Sequence, residues 1–132
     1  MVDNEMKGAS MARILLAEDD DSMRDFLAKA LSRAGHEVEA VADGEDGLDV
    51  LGETPGAFEL LLTDIVMPGV DGIELARRAA EIDPGLKIMF ITGFAAVALN
   101  AGAAAPKEAK VLSKPFHLRD LVDEVAKVMD AA

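Results

Sequence analysis

The stretch LLLTDIVMPGVDG, residues 60–72, is the part of the sequence that decides the fold. Its opening apolar run, residues 60–63, stops at Asp64, which is typical of a parallel strand covered on both faces. Asp71 can then cap a helix, with Glu74 supplying the second half of a capping box. The stretch therefore predicts a buried strand, a loop and a helix in succession.

Strand and helix patterns alternate on both sides of this stretch. The predicted strands are 13–17, 36–41, 60–63, 87–92 and 110–112, and the main helices begin near residues 21, 44, 71 and 118. Residues 94–100 fit a short helix, while Gly102, neighbouring alanines and Pro106 indicate irregular backbone. This alternation predicts an α/β fold, a doubly wound five-stranded parallel sheet with helices on both faces.

The composition predicts one globular domain with protein partners. The chain has 132 residues, a formal charge of −12 and no cysteine. The negative charge opposes binding to nucleic acid or anionic lipid, and the lack of cysteine fits a reducing cytoplasm. We expect residues 1–11 to be a disordered leader or an expression remnant, and residues 12–132 to form the domain.

One uncharged segment, residues 88–106, approaches the length of a membrane span at 19 residues. Its glycines, asparagine and many alanines lower its apolar character, and it begins with a strand-like pattern. A buried strand followed by a loop therefore explains the segment better than insertion into a membrane.

Candidate functional side chains follow the ends of the predicted strands. They are Glu18 and Asp19 after the first strand, Asp64 at the end of the third, Thr92 at the end of the fourth, and Lys114 with Pro115 after the fifth. In an open parallel sheet, ligands bind outside the carboxyl ends of the strands. These side chains are therefore expected to meet at one edge of the sheet.

Three carboxylates in a small volume repel one another unless protons or a cation compensate their charge. Oxygen ligands and partial hydration suit Mg²⁺, with a phosphate oxygen completing the coordination shell. Lys114 can neutralise an incoming phosphoryl group, and the Thr92 hydroxyl can donate a hydrogen bond to it. Asp64 is then the candidate nucleophile, since a carboxylate needs no general base.

These motifs resemble the receiver domains of two-component response regulators. The matching segments are ILLAEDD at 14–20, TDIVMPGVDG at 63–72, FITG at 90–93 and SKPF at 113–116. The resemblance implies a (βα)5 flavodoxin-like fold and a chain that accepts a phosphoryl group from a histidine kinase or a histidine phosphotransfer protein. It makes the chain a signalling switch with only slow autodephosphorylation, and not an enzyme.

The resemblance also implies roles for individual residues. Asp64 would be the phosphoacceptor, and Asp19 and Asp64 would bind Mg²⁺ directly together with the backbone carbonyl of Val66. Glu18 would act through water. Gly72 would let the phosphoacceptor loop turn.

A further group of residues would form the switch. The resemblance implies that Pro115 is in the cis form and aims Lys114 into the site. The aromatic residue common in the family three positions before the lysine is replaced here by Val111, and Phe94, two residues after Thr92, would replace part of its function.

The second half of the chain resembles the CpdR-type stand-alone receivers. The segments concerned are IMFITGFAAVALN at 88–100 and KVLSKPFHLRDLV at 110–122, and we expect no output domain after Met129. The resemblance implies an adaptor of the ClpXP protease that contacts ClpX and is active when unphosphorylated.

Other interpretations remain open at this stage. The chain could be a phosphate shuttle between histidines, or a Mg²⁺-dependent phosphohydrolase, although Val66 stands where such phosphatases need a second acid. Asp19 and Asp20 also fit helix caps. His36 and His117 are isolated, and surface or capping roles are expected for both.

Overall fold

The computed structural model describes residues 11–93 and 110–130. The strands are β1 (Arg13–Ala17), β2 (Glu37–Val41), β3 (Leu60–Asp64), β4 (Lys87–Thr92) and β5 (Lys110–Ser113). The helices are α1 (Asp21–Arg33), α2 (Gly44–Glu53), α3 (Gly72–Ile82) and α4 (Leu118–Asp130). The short helix predicted at 94–100 lies outside the described residues. None of the helices described is both long and apolar enough to cross a membrane.

All strands pair in parallel in a single sheet of order β2-β1-β3-β4-β5. The order reverses between β1 and β3, which is the position where doubly wound folds bind ligands. The register pairs Ala17 with Thr63 and Asp64 with Ile91, so the ends of β1, β3 and β4 lie side by side. The predicted fold class is confirmed.

The central strands β1, β3 and β4 separate two hydrophobic clusters. Leu15 and Leu61 point to one face and pack with Leu75 of α3, whereas Leu16 and Leu62 point to the other face and join the cluster of α1 and α4. Burying each leucine contributes about 1.5–3 kcal/mol. The continuous apolar run of β3 is therefore explained, because both of its faces are covered.

Aspartates cap three of the helices. The side chains of Asp20, Asp43 and Asp71 precede α1, α2 and α3, and each accepts a hydrogen bond from a backbone N–H in the first turn. The predicted capping box at α3 is only half formed. The carboxylate of Glu74 contacts Arg77 and Arg78 at 2.5 and 2.7 Å, because two cations at helical spacing compete for it.

His36 corrects the prediction of a surface role. It is buried, and its Nδ1 accepts a hydrogen bond of 3.0 Å from the backbone N–H of Ala12. Burial lowers the pKa of His36, which favours the neutral ring that this acceptor role needs. His36 therefore helps to join the start of β2 to the start of β1. His117 is exposed and lies just before α4.

Candidate functional site

Three carboxylates meet at the carboxyl edge of the sheet. Oxygen atoms of Glu18, Asp19 and Asp64 all lie within 4.8 Å of one another. Glu18 and Asp64 are buried, whereas Asp19 is exposed. The site is therefore closed on the sheet side and open to solvent beside Asp19.

Glu18 is held by its backbone and by one carboxylate oxygen. Its N–H donates to the carbonyl of Val41 at 3.1 Å, and its own carbonyl accepts from the guanidinium of Arg24 at 3.0 Å. Its Oε2 accepts from the N–H of Asp20 at 3.1 Å. Its Oε1 is buried and accepts no hydrogen bond from the part of the chain that the structure describes.

Lys114 supplies the positive charge that the sequence predicted for this site. Its Nζ donates to Oδ2 of Asp64 at 3.1 Å and lies 3.5 Å from Oε1 of Glu18. Its backbone N–H donates to the carbonyl of Thr92 at 2.6 Å, and the peptide bond between Lys114 and Pro115 is cis. The lysine thus bridges Glu18, which follows β1, and Asp64, the last residue of β3.

The electrostatics of the site are those of crowded acids beside one cation. Burial raises the pKa of Glu18 to about 7, and the charge of Asp64 adds to the rise, against the opposing effects of the Asp20 N–H and Lys114. Burial by itself would lower the pKa of Lys114, but its hydrogen bond to Asp64 and the charges of Asp64 and Glu18 raise it overall. Lys114 is therefore firmly cationic near neutral pH.

The backbone around Asp64 is tightly enclosed. A Cβ atom at Gly72 would lie 2.0 Å from the carbonyl oxygen of Asp64, and the Gly72 N–H donates to the carbonyl of Ile65 at 2.9 Å. Gly72 has no positive φ, so its requirement is close approach and not the turn suggested by the resemblance. The N–H of Val66 donates to Oδ1 of Asp64 at 3.3 Å.

The residues expected to form the switch have different environments. Thr92 is fully buried at the end of β4, one residue beyond Ile91, the neighbour of Asp64. Val111 is exposed in β5. Phe94 lies outside the described residues.

The three acids fit a small divalent cation. Oxygens around an octahedral ion at about 2.1 Å lie at most about 4.2 Å apart, so the observed separations need only small side-chain rotations. The buried Oε1 of Glu18 is paired with Lys114 at 3.5 Å but has no hydrogen bond, which the water of a coordinated ion would provide. Within residues 11–93 and 110–130, these three acids are the group whose side-chain oxygens lie close enough together to hold a metal ion.

The fold and this acidic pocket define a class of signalling protein, and the family comparison agrees. The family model described as "response regulator receiver domain" matches residues 14–126. The chain therefore belongs to the response regulator receiver family, as the strand-end motifs predicted.

Similar proteins indicate which kind of receiver this chain resembles. The response regulator receiver protein CpdR of Brucella abortus (strain 2308) is 66% identical over 122 residues, which are 92% of this chain and all of that protein. A receiver protein from Sinorhizobium medicae WSM419 is 32% identical with a TM-score of 0.83, covering 92% of this chain and 96% of that one. The receiver domain of the hybrid histidine kinase CckA is also 32% identical, with a TM-score of 0.77, covering 89% and 98%.

Two contacts were missed at the level of sequence. Arg24 contacts the backbone between Glu18 and Asp19, and Gly72 lies against the backbone of Asp64. The spacing of Asp21 and Arg24, three residues apart in α1, was a usable signal for their ion pair, but it does not indicate the contact with the Glu18 carbonyl. No comparable pattern revealed the close approach at Gly72.

Proposed function

We propose that this receiver accepts a phosphoryl group on Asp64 with Mg²⁺ bound by Asp19, Asp64 and the Val66 carbonyl, and by Glu18 through water. The observation that carries the proposal is the joint placement of three acids within 4.8 Å and a lysine 3.1 Å from Asp64. Bound Mg²⁺ would supply Lewis-acid stabilisation of the phosphoryl oxygens.

The chain's own residues carry out the other parts of the phosphoryl transfer. A carboxylate oxygen of Asp64 forms a bond to phosphorus while the bond from phosphorus to the donor breaks, and the donor leaves with that electron pair. Lys114 balances the negative charge of the transferred group, and the Thr92 hydroxyl donates a hydrogen bond to it. Buried backbone around Asp64 holds the nucleophile in place.

Turnover is limited to slow loss of the chain's own phosphoryl group. A phosphohydrolase of this kind needs an acid to activate water, but residue 66 is a valine whose N–H is directed to Asp64. We propose that the donor is a histidine kinase or a histidine phosphotransfer protein and that the protein acts in the cytoplasm.

Intact mass measures the first step. We expect the wild-type chain, incubated with Mg²⁺ and acetyl phosphate, to gain the mass of one phosphoryl group. Asp64→Ala removes the nucleophile and should show no gain, whereas Asp49→Ala, at an exposed position of α2, should behave as the wild type. A gain in Asp64→Ala, or none in the wild type, would contradict the assignment of Asp64.

We further propose that the phosphorylation state controls a CpdR-type adaptor function, in which the unphosphorylated chain binds ClpX and directs substrates to ClpXP. Similarity over the full length of CpdR supports this step. The net charge of −12 also favours a protein partner, since it repels the phosphate backbones of nucleic acids.

A pull-down on purified ClpX tests the adaptor function. The untreated chain should be retained, and treatment with Mg²⁺ and beryllofluoride, which mimics phosphorylation, should release it. Asp64→Ala should be retained with or without treatment, because it cannot hold the mimic. Retention in neither state would contradict the adaptor function and favour a phosphate shuttle, and retention of only the treated chain would reverse the proposed direction.

A further inference from the structure

Arg24 connects helix α1 to the backbone of the paired acids. Its Nη1 donates to the carbonyl of Glu18 at 3.0 Å, and its Nη2 contacts Oδ1 of Asp21 at 2.5 Å. The Arg24 side chain is only 23% exposed, so these contacts are partly shielded from water. The guanidinium thus joins the end of β1 to the first turn of α1.

The contacted carbonyl belongs to the peptide unit that links Glu18 to Asp19. That unit is planar, so fixing its oxygen also fixes the direction in which the chain enters Asp19. The Glu18 N–H, bonded to Val41, fixes the other side of Glu18. Together these bonds determine how the two acidic side chains leave the backbone.

We infer that Arg24 is a positioning residue for the proposed Mg²⁺ site, holding the Glu18–Asp19 peptide so that both carboxylates face Asp64. The inference rests on the proposed function, because it concerns the same site. A hydrogen bond from a charged donor is roughly twice as strong as a neutral one. Asp21 is 90% exposed, so its pair with Arg24 serves orientation more than stability.

Arg24 contacts no carboxylate of the site, so its effect passes through the backbone. Residues that orient metal ligands typically change metal affinity by about 10–100-fold when they are replaced. We expect Arg24→Met, which keeps an unbranched apolar stem, to bind Mg²⁺ about tenfold more weakly than the wild type. Arg24→Lys should recover part of the loss, since its ammonium can donate to the same carbonyl.

The test is titration with Mg²⁺ alone, followed in amide NMR spectra, which also report whether each variant is folded. Arg33→Met is the matched control, because Arg33 is the last residue of the same helix. Its Mg²⁺ affinity should stay within about twofold of the wild type. A general loss of stability cannot explain such a difference in Mg²⁺ affinity, because both variants are compared under conditions in which they are fully folded.

Two results would count against the inference, and they are distinguishable. Equal Mg²⁺ affinity of folded Arg24→Met and the wild type would overturn the positioning role alone. No Mg²⁺ response in the wild type, or an equal response in Asp64→Ala, would overturn the proposed function and the inference with it. If Arg24→Met does not fold, Arg24→Lys and Asp21→Ala replace it. Both should bind Mg²⁺ more weakly than the wild type, by less than the loss expected for Arg24→Met. Wild-type Mg²⁺ affinity in both variants would overturn the positioning role.

Discussion

Replacing Gly72 with alanine is expected to slow phosphorylation of Asp64 about 100-fold, the cost of misplacing a reacting group by roughly 1 Å. The added Cβ would lie 2.0 Å from the carbonyl oxygen of Asp64 and 2.9 Å from the Cα of Ile65. Both atoms belong to the backbone, so no side-chain rotation relieves the clash. The end of β3 must move, and the nucleophile moves with it.

The same change should lower the free energy of unfolding by about 2–3 kcal/mol, because overpacking a buried contact strains its surroundings. Gly52→Ala is the matched control. A Cβ at Gly52 meets nothing within 4 Å, and its position near the end of α2 favours alanine by about 0.5–1 kcal/mol. Urea unfolding and the rate of phosphorylation by acetyl phosphate should therefore separate the two variants. Wild-type values for both quantities in Gly72→Ala would refute the close-approach argument.

The sequence predicted most of the fold because its patterns were strong. The apolar runs of β1, β3 and β4 ended where charged or polar residues began. The capping aspartates Asp20 and Asp71 marked the starts of α1 and α3. Strand boundaries differed by one residue at β2, β3 and β5. The strand-end rule also brought Glu18, Asp19, Asp64 and Lys114 together correctly, since parallel strands end at the same edge.

The errors arose where a residue's role depends on a distant contact or where several partners compete for one side chain. His36 belongs to no motif, and in the structure it is buried and accepts a hydrogen bond from the N–H of Ala12, 24 positions earlier. Glu74 could accept a hydrogen bond from the backbone N–H at the helix cap or pair with two arginines, and the sequence alone does not show which partner is preferred.

Replacing Lys114 with methionine should have two opposite effects at the site. Phosphorylation of Asp64 should slow about 100-fold, the typical result of removing one group that stabilises transition-state charge. Mg²⁺ affinity should increase, because Lys114 competes for the same oxygens at 3.1 Å from Asp64 and 3.5 Å from Glu18. A variant that simply damaged the site would weaken both.

Lys110→Met provides the comparison for this change. Lys110 is the first residue of β5, the strand that Lys114 follows, and its Nζ is 3.5 Å from Glu124 of α4 and not paired with the acids of the site. Its replacement should leave Mg²⁺ affinity and the phosphorylation rate near their wild-type values.

The two effects of Lys114→Met are best measured at about pH 8.5. Lys114 lowers the pKa of Glu18, so its loss favours a proton on Glu18 that would compete with Mg²⁺ at lower pH. Intact mass over time gives the phosphorylation rate, and amide spectra give the Mg²⁺ affinity. Slower phosphorylation with tighter Mg²⁺ binding would show that the lysine acts on the transferred group and not by assembling the metal site. Weaker Mg²⁺ binding would instead mean that its contact with Asp64 is needed to hold the acids in place.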